Sequence, residues 1–320
     1  MSANNAPQVM KQGKMTPWFY LLPALIIMSI FIIYPMFNTI SLSFKNADGT
    51  ASAATTCVEG KPCWGVFENY RYAFTAELET TNAETIWKSF WISSYGNMIK
   101  WILLMVSGSV AIGLAFAVLV DRVKYESLAK AVIFMPMAIS FVGAGVIWKF
   151  VYDFGTTQVQ IGLLNAIITG LGGQPVAFLS TPQINTIALI VVGIWIWTGF
   201  CMTLLSAALK SVPTEIIEAA RVDGANEWRI FWRVIVPIIS PTIVVVVTTM
   251  VINTLKLFDI VYVMTGGNFG TEVIATRMYS EMYSSFQTGR GTAIAVVLII
   301  IIIPFIYLNI KRFMAQEAMR

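Results

Sequence analysis

The sequence SVPTEIIEAARVDGANEWRIFWRVIVPIISP, residues 211–241, is a polar stretch between two strongly apolar blocks. Pro213 suits the first turn of a helix, where its missing N–H costs nothing. Gly224 is a natural stop, because glycine adopts positive φ without a Cβ clash. Asn226 can cap a second helix, which we expect to end near Pro237. The stretch therefore predicts two short helices separated by a break at Gly224.

Small side chains beside acidic ones predict a flat contact surface on the first of these helices and on the turn after it. The ordered pattern consists of Glu218-Ala219-Ala220, Asp223-Gly224-Ala225, Phe231, Ile235, Pro237 and Pro241. It resembles the EAA loop of ABC importer permeases, a coupling helix that docks in a groove on a separate ATPase subunit. The resemblance implies that residues 211–241, called the coupling loop below, contact an ATPase through Glu218, Ala219, Ala220, Asp223, Gly224 and Ala225. The alternative is a loop helix without a partner.

The composition is that of a membrane protein. Of 320 residues, 57% are hydrophobic and 12% are charged, whereas soluble domains have about 25% charged residues. The chain has no histidine, which removes the commonest general base, proton shuttle and metal ligand and argues against an enzyme or a metal site. The net charge of +4 includes no run of Lys or Arg, so we expect no nucleic-acid partner.

Long apolar runs predict about six membrane-spanning helices, and therefore an all-α, polytopic fold. A helix needs about 20 apolar residues to cross a bilayer. The predicted spans are Pro17–Phe44, Ile92–Val120, Leu128–Val151, Ile184–Ala208, Ile238–Met264 and Thr292–Ile310. Pro136 predicts a kink in the third span.

The polar residues 45–92, between the first two spans, predict an extramembrane loop with short helices. Cys57 and Cys63 both lie in this loop. If the loop faces an oxidising compartment, they can form a disulfide, and two free thiols are an equal alternative that the sequence leaves open. Cys201 lies in an apolar run and is most simply a packing residue.

Positive charge predicts the orientation, because Lys and Arg accumulate in cytoplasmic segments. With an even number of spans and a cytoplasmic N-terminus, twelve cations are cytoplasmic, namely Lys11, Lys14, Arg122, Lys124, Lys130, Lys210, Arg221, Arg229, Arg233, Lys311, Arg312 and Arg320. The longer outer loops then hold six, namely Lys45, Lys61, Arg71, Lys88, Arg277 and Arg290. We therefore predict cytoplasmic tails at 1–16 and 314–320, a transmembrane domain at 17–313, a periplasmic loop at 45–92 and a cytoplasmic coupling loop.

Polar residues in the fifth predicted span indicate a transport path, because charges inside a membrane are costly and usually face a cavity or a partner. Asn253 and Lys256 are three residues apart, as are Lys256 and Asp259, so each pair can be neighbours on one helix. Such groups can hydrogen-bond the hydroxyls of a sugar, and aromatic rings can stack on its C–H faces. The candidates are Asn253, Lys256, Phe258, Asp259, Trp195 and Trp197. The alternative is a structural Lys256–Asp259 pair, with the tryptophans at the membrane interface.

The segment Leu255–Gly267, LKLFDIVYVMTGG, resembles the LK-x-FD…TGG segment of the carbohydrate-uptake branch of these permeases. The resemblance implies the first permease of a maltose-type or alpha-glucoside-type importer in the bacterial inner membrane. It also implies a second permease that completes a heterodimer, two ATP-binding subunits, and a periplasmic or lipid-anchored sugar-binding protein. The chain itself has no P-loop, so ATP and Mg would be used by the ATPase subunits and no cofactor would bind here.

Three other functions remain open at this stage. An ABC importer for polyamines or glycerol phosphate would have a similar coupling loop and a differently charged cavity. An autonomous secondary transporter or channel would show inverted repeats with broken helices, and the sequence has no convincing internal repeat. A membrane enzyme is the least favoured of the three.

Overall fold

The computed structural model describes residues 16–51, 66–78, 81–155 and 162–317, and consists of α-helices joined by loops. In chain order the helices are α1 (Trp18–Ser43), α2 (Glu68–Thr75), α3 (Ala83–Ile92), α4 (Ser94–Val120), α5 (Glu126–Ala138), α6 (Phe141–Val151), α7 (Leu163–Gly170), α8 (Asn185–Lys210), α9 (Thr214–Val222), α10 (Glu227–Leu255), α11 (Asp259–Met264), α12 (Ile274–Tyr279) and α13 (Thr288–Glu317). No β-strand occurs within these ranges. The predicted all-α class is confirmed.

Five helices of the described chain are long and apolar enough to cross a membrane, and there are six spans if the bent pair α5 and α6 counts as one, which agrees with the predicted number of about six. Helices α1, α4, α8, α10 and α13 are continuous, and their apolar parts are 24 to 29 residues long. At about 1.5 Å per residue they exceed the roughly 30 Å of a bilayer's hydrocarbon core. The sixth segment is the pair α5 and α6, which are bent by 96° relative to each other.

The third predicted span is broken at Pro136, where the sequence predicted a kink. Pro136 lies in a 3-10 turn at the end of α5, and Ile139 after it is extended, with ψ of 139°. The Ser140 hydroxyl oxygen then accepts a hydrogen bond from the Gly143 N–H at 3.0 Å, which caps α6. Proline supplies no N–H to the helix and the serine cap starts a new one, so the chain turns sharply between them.

The second coupling helix does not end near Pro237, as the sequence predicted. It continues through Pro237 as α10, which starts at Glu227 and ends at Leu255. A π-helical turn at Phe231–Ile235 directly precedes the proline. A π turn widens the helix at the point where the proline ring would clash with the carbonyl of Arg233.

The fifth span therefore also ends earlier than predicted, because α10 stops at Leu255 and α11 is a separate short helix. Asn253 Nδ2 donates to the Thr249 carbonyl at 2.9 Å, and Thr254 Oγ1 donates to the Met250 carbonyl at 2.8 Å. Side chains that bond to the preceding helical turn compete with the backbone and bend helices. No proline or glycine marks the break, so the apolar pattern alone did not reveal it.

Helix α8 is the centre of the bundle. In the most apolar part of α8, 61% of the residues are buried. In the corresponding part of α1, which lies at the periphery, none are buried. Glycines let α4 and α8 approach closely, since a Cβ on Gly113 would lie 2.6 Å from the Cβ of Cys201. A Cβ on Gly193 would meet Met105 and Trp101 at 2.9 Å. In a membrane the hydrophobic effect does not drive helices together, so association depends on close van der Waals packing, which small residues at the contact allow.

Short helices α2 and α3 lie in the predicted loop 45–92, on the side opposite the coupling loop, which we call the outer side. Arg277, at the C-terminal part of α12, is 4% exposed and forms a 2.8 Å ion pair with Glu77. The Glu77 carboxylate also accepts hydrogen bonds from the N–H and hydroxyl of Ser94. This cluster joins the loop to α4 and α12. Cys57 and Cys63 lie outside the described residues, as does most of the predicted N-terminal tail.

Candidate functional site

The turn of the coupling loop is fixed by backbone hydrogen bonds. Gly224 has φ of +80°, and its N–H donates to the Arg221 carbonyl at 3.0 Å, while the Ala225 N–H donates to the Ala220 carbonyl at 3.0 Å. This pair of bonds is a Schellman motif, in which a left-handed residue terminates the helix. An added Cβ at Gly224 would have nothing within 4 Å. The glycine is therefore required by the backbone conformation and not by lack of space.

The second helix starts directly after this turn. The Asn226 side-chain oxygen accepts a hydrogen bond from the Arg229 N–H at 2.9 Å, which caps α10. Arg221 on α9 and Glu227 on α10 form a 2.9 Å ion pair across the turn. The turn, the cap and the ion pair thus join the two helices through contacts between residues close in the chain.

Apolar contacts attach the coupling loop to the bundle. Val212 is buried in a cluster with Ala208 and Ile239, and Ile217 of α9 packs against it. Ile230 is 1% exposed. Trp228 and Trp232 lie outside this cluster, since they are 72% and 48% exposed and pair edge to face at 5.7 Å.

The six residues of the EAA pattern form a solvent-facing surface on α9 and its turn. Exposed members are Glu218, Ala219, Asp223 and Gly224, and half-buried members are Ala220 and Ala225. Two carboxylates flank backbone that carries small side chains, so a partner surface can approach closely and bring positive charge to this site.

Five of the six predicted pathway residues line one cavity of about 120 Å³, which we call the central cavity. Its walls are Met105, Phe141, Trp197, Asn253, Lys256, Leu257, Phe258 and Asp259. The Trp197 ring stacks on Phe141 with centroids 6.1 Å apart. The cavity thus combines aromatic faces with an amide, an ammonium and a carboxylate, which are the groups that orient a polar ligand in a pocket.

Two details of the predicted pathway are corrected. Trp195 lies in a different cavity of about 390 Å³, where its ring contacts Trp148 at 5.6 Å, because residues two apart on a helix face different sides. The predicted helical neighbours Lys256 and Asp259 are separated by the break between α10 and α11. Among the described residues, the ion pairs do not include one between these two side chains.

The comparison with protein families agrees with this geometry. Residues 109–318 match the family described as "Binding-protein-dependent transport system inner membrane component". The chain belongs to this family. The resemblance to ABC importer permeases is thereby confirmed, and the chain is a permease subunit of the inner membrane, in a family of transport proteins and not of enzymes. Such a permease works with a partner permease, an ATPase and a binding protein.

The permease has named relatives that span almost its whole length. It is 48% identical to the osmoprotective compounds uptake permease protein GgtC of Synechocystis, over 94% of this chain and 100% of GgtC. It is 41% identical to the alpha-glucoside transport system permease protein AglF of Rhizobium meliloti, over 92% of this chain and 81% of AglF. A bacterial alginate ABC transporter has the same fold, with a TM-score of 0.68 at 21% identity over 92% of this chain and 95% of that one.

An ion cluster that the sequence did not predict lies on the inner side of the permease, beside the coupling loop. Glu126 pairs with Lys130 at 2.6 Å and also with Lys210, the last residue of α8. Lys130 pairs in addition with Asp121 at 2.9 Å, and Ser206 donates to Asp121 at 2.8 Å. The spacing of Glu126 and Lys130 on one helix face was visible in the sequence. The contacts to α8 span more than 75 residues and left no local signal.

A second missed group holds the loop between α11 and α12. Asn97 of α4 donates to the carbonyls of Gly270 and Glu272 at 2.7 and 2.8 Å. Burial, followed by the negative charge of Glu77, raises the pKa of the Glu272 carboxyl to about 7, and the positive charge of Arg277 opposes the shift. The protonation of Glu272 therefore depends on the burial and the neighbouring charges that the folded bundle provides.

Proposed function

We propose that this permease forms half of the translocation pathway of an ATP-driven sugar importer, with an oligosaccharide such as an alpha-glucoside as substrate. The central cavity is the observation that carries the proposal. It places the rings of Trp197 and Phe258 beside the polar groups of Asn253, Lys256 and Asp259. A pyranose has apolar C–H faces and a rim of hydroxyls, and these two surfaces match the aromatic and the polar walls.

Relatives support the same class of substrate. AglF is named for alpha-glucoside transport. The permease MalF of Thermococcus litoralis, named for trehalose and maltose transport, is 28% identical over 92% of this chain and 93% of MalF. Each of these similarities extends over 92% of this chain.

The coupling loop supports the proposed energy source. Glu218, Ala219, Ala220, Asp223, Gly224 and Ala225 would dock on an ATPase, which would bind ATP and Mg, while this chain would need no cofactor. When ATP closes a pair of ATPase subunits, a rigid element moves as a unit and carries α8 and α10 with it. The outer end of the bundle then opens. The central cavity, which was open to the cytoplasm, becomes open to the outer side instead.

The proposed assembly consists of this chain, a second permease as heterodimer partner, two ATP-binding subunits and a periplasmic or lipid-anchored sugar-binding protein. Both termini would lie in the cytoplasm, because the inner segments contain twelve cations in the predicted orientation. The same distribution of charge supports a cytoplasmic coupling loop, on the side where ATP is available.

The test is purification of the permease from its native membrane, followed by identification of the subunits that accompany it. We expect an ATPase and a second six-span permease in stoichiometric amounts. Uptake into proteoliposomes with internal ATP should then require the binding protein and accept maltose or trehalose. A permease that purifies alone and transports without ATPase would contradict the proposal and favour a secondary transporter.

A second candidate substrate class is a small osmoprotective solute, because the relative GgtC carries that description at 48% identity. The volume of the central cavity, about 120 Å³, suits a small solute better than an oligosaccharide. Competition between maltose and osmoprotective solutes in the same uptake assay separates the two classes. Spermidine and glycerol 3-phosphate, which represent the two other ABC substrates that the sequence left open, belong in the same panel.

A further inference from the structure

Four aromatic rings form a continuous row that starts at the central cavity. Phe258 stacks on Tyr262 with centroids 4.9 Å apart and an interplanar angle of 18°. Tyr279 contacts Phe258 at 5.3 Å and Tyr262 at 5.0 Å, and it contacts Tyr283 at 4.8 Å. All four spacings lie within the range of favourable aromatic pairs. We call Phe258, Tyr262, Tyr279 and Tyr283 the aromatic ladder.

The ladder leads from the cavity to the surface. Phe258 lines the central cavity and is half-buried. Tyr262 is 43% exposed and Tyr283 is 59% exposed, so ring surface remains uncovered along the row. Tyr279 and Tyr283 follow α10 and α11 in the chain and precede α13. They therefore lie on the outer side, where α10 has crossed the bundle away from the coupling loop.

The outer end of the ladder lies outside the membrane-spanning helices. Tyr283 lies in a π-helical turn, Ser280–Ser284, with the sequence SEMYS, outside the membrane-spanning helices. The turn is also fixed in place, because Glu281 accepts a 2.6 Å hydrogen bond from the hydroxyl of Tyr72 on α2. The row therefore offers exposed ring surface on a segment that a hydrogen bond holds to α2.

We propose that the aromatic ladder is an entry path along which pyranose rings pass from the outer surface to the central cavity. The inference rests on the proposed sugar function and adds residues to it. Sugar C–H faces stack on aromatic rings at each step, and three of the four rungs are tyrosines, whose hydroxyls can exchange hydrogen bonds with the sugar. The shared ring of Phe258 makes the path continuous with the cavity.

The experiment is uptake of labelled maltose at subsaturating concentration by the complete transporter in proteoliposomes. Variants Tyr279→Leu and Tyr283→Leu remove a ring, and Tyr279→Phe and Tyr283→Phe keep it. We expect the leucine variants to lose about threefold to tenfold of their uptake, in line with the strength of one aromatic contact, and the phenylalanine variants to lose less than about twofold. Tyr307→Leu is the matched control, because Tyr307 is an exposed tyrosine on α13 outside the ladder.

Other outcomes overturn the proposal in distinguishable ways. Normal uptake by both leucine variants, with an active wild type, removes the ladder and leaves the sugar function intact. Loss of the second permease on purification of Tyr279→Leu or Tyr283→Leu assigns these rings to a subunit interface instead. A phenylalanine variant as defective as its leucine partner excludes stacking as the cause. If the wild type takes up no sugar but another solute, the proposed function fails and the sugar path fails with it.

Discussion

The coupling loop and the central cavity are built in opposite ways. The turn of the coupling loop is closed by hydrogen bonds among residues no more than five apart, such as Ala225 to Ala220. The cavity needs α4, α6, α8 and the break between α10 and α11, which contribute residues from Met105 to Asp259. The loop is therefore an autonomous local structure, whereas the cavity exists only in the assembled bundle.

This difference has a mechanical consequence. A locally closed loop stays rigid while the bundle around it rearranges, as an element that transmits motion from an ATPase must. A cavity that is assembled from several helices changes shape when those helices move, as alternating access requires. A single substitution that breaks the loop should thus cause a large loss of ATP-dependent uptake. A single substitution in the cavity should cause a smaller loss of uptake.

The largest effect is expected for Gly224→Val. Valine at φ of +80° is strained by about 1–2 kcal/mol or more, so we expect ATP-dependent uptake to fall by about tenfold or more. Gly224→Asn is the matched control, because asparagine tolerates this conformation. Uptake by reconstituted transporter measures both. Equal activity of the valine variant and the wild type would show that the loop does not need its local closure.

A somewhat smaller loss is expected for Glu218→Lys, which reverses an exposed charge on the EAA surface while leaving the turn intact. We expect the amount of ATPase that co-purifies with the permease to fall by about fivefold, because like charges across an interface oppose binding. Glu84→Lys is the control, since Glu84 is an exposed acid on the outer side. Unchanged co-purification would remove Glu218 from the docking surface.

Substitutions in the cavity should reduce sugar uptake without loss of assembly. Asn253→Ala and Asp259→Ala each remove a potential hydrogen bond, worth about 1 kcal/mol, and we expect about fivefold lower uptake at subsaturating maltose. Asn309→Ala is the control, because Asn309 bonds to Thr248 at 3.1 Å away from the cavity residues. If both cavity variants transport normally and the partners still co-purify, the sugar does not pass this cavity.

The loop after α11 should make stability depend on pH. The pKa of Glu272 is about 7 in the folded protein compared with an ordinary 4.5, so the folded state keeps a proton that the unfolded chain releases between these values. This contribution is fully present below about pH 4.5 and is lost as the pH rises to about 7. We expect Tm to fall from pH 5 to pH 8 in the wild type, and the fall to be smaller in Glu272→Gln. The same slope in Glu272→Gln and in the control Glu84→Gln would contradict this.

The smallest effect is expected for Arg221→Ala, which removes the ion pair to Glu227 across the turn. Both side chains are more than half exposed, and exposed pairs contribute only about 0.2–1 kcal/mol. Thermal unfolding at low and at 1 M salt measures the difference, which salt should abolish by screening. A loss of Tm that persists at 1 M salt would show that Arg221 stabilises the loop through packing.

Several long-range features could not be read from the sequence. The break after Leu255 contains no proline or glycine, and the burial of Leu257 within it and of Ile260 after it depends on the assembled bundle. The exposure of Trp228 and the separation of Trp195 from Trp197 also depend on which neighbours each helix face meets. Residue type showed whether each of these side chains is polar or apolar. Which neighbours the side chain faces was decided by how the helices pack.

The sequence by itself determined the six spans, the all-α class and the turn at Gly224, because each depends on hydropathy or on hydrogen bonds between residues close in the chain. Only the tertiary structure decided the closing of the cavity around Asp259 and the row of rings from Phe258 to Tyr283. These features join side chains that are distant in sequence. Their free energies depend on the helix contacts of the whole bundle, which no local pattern records.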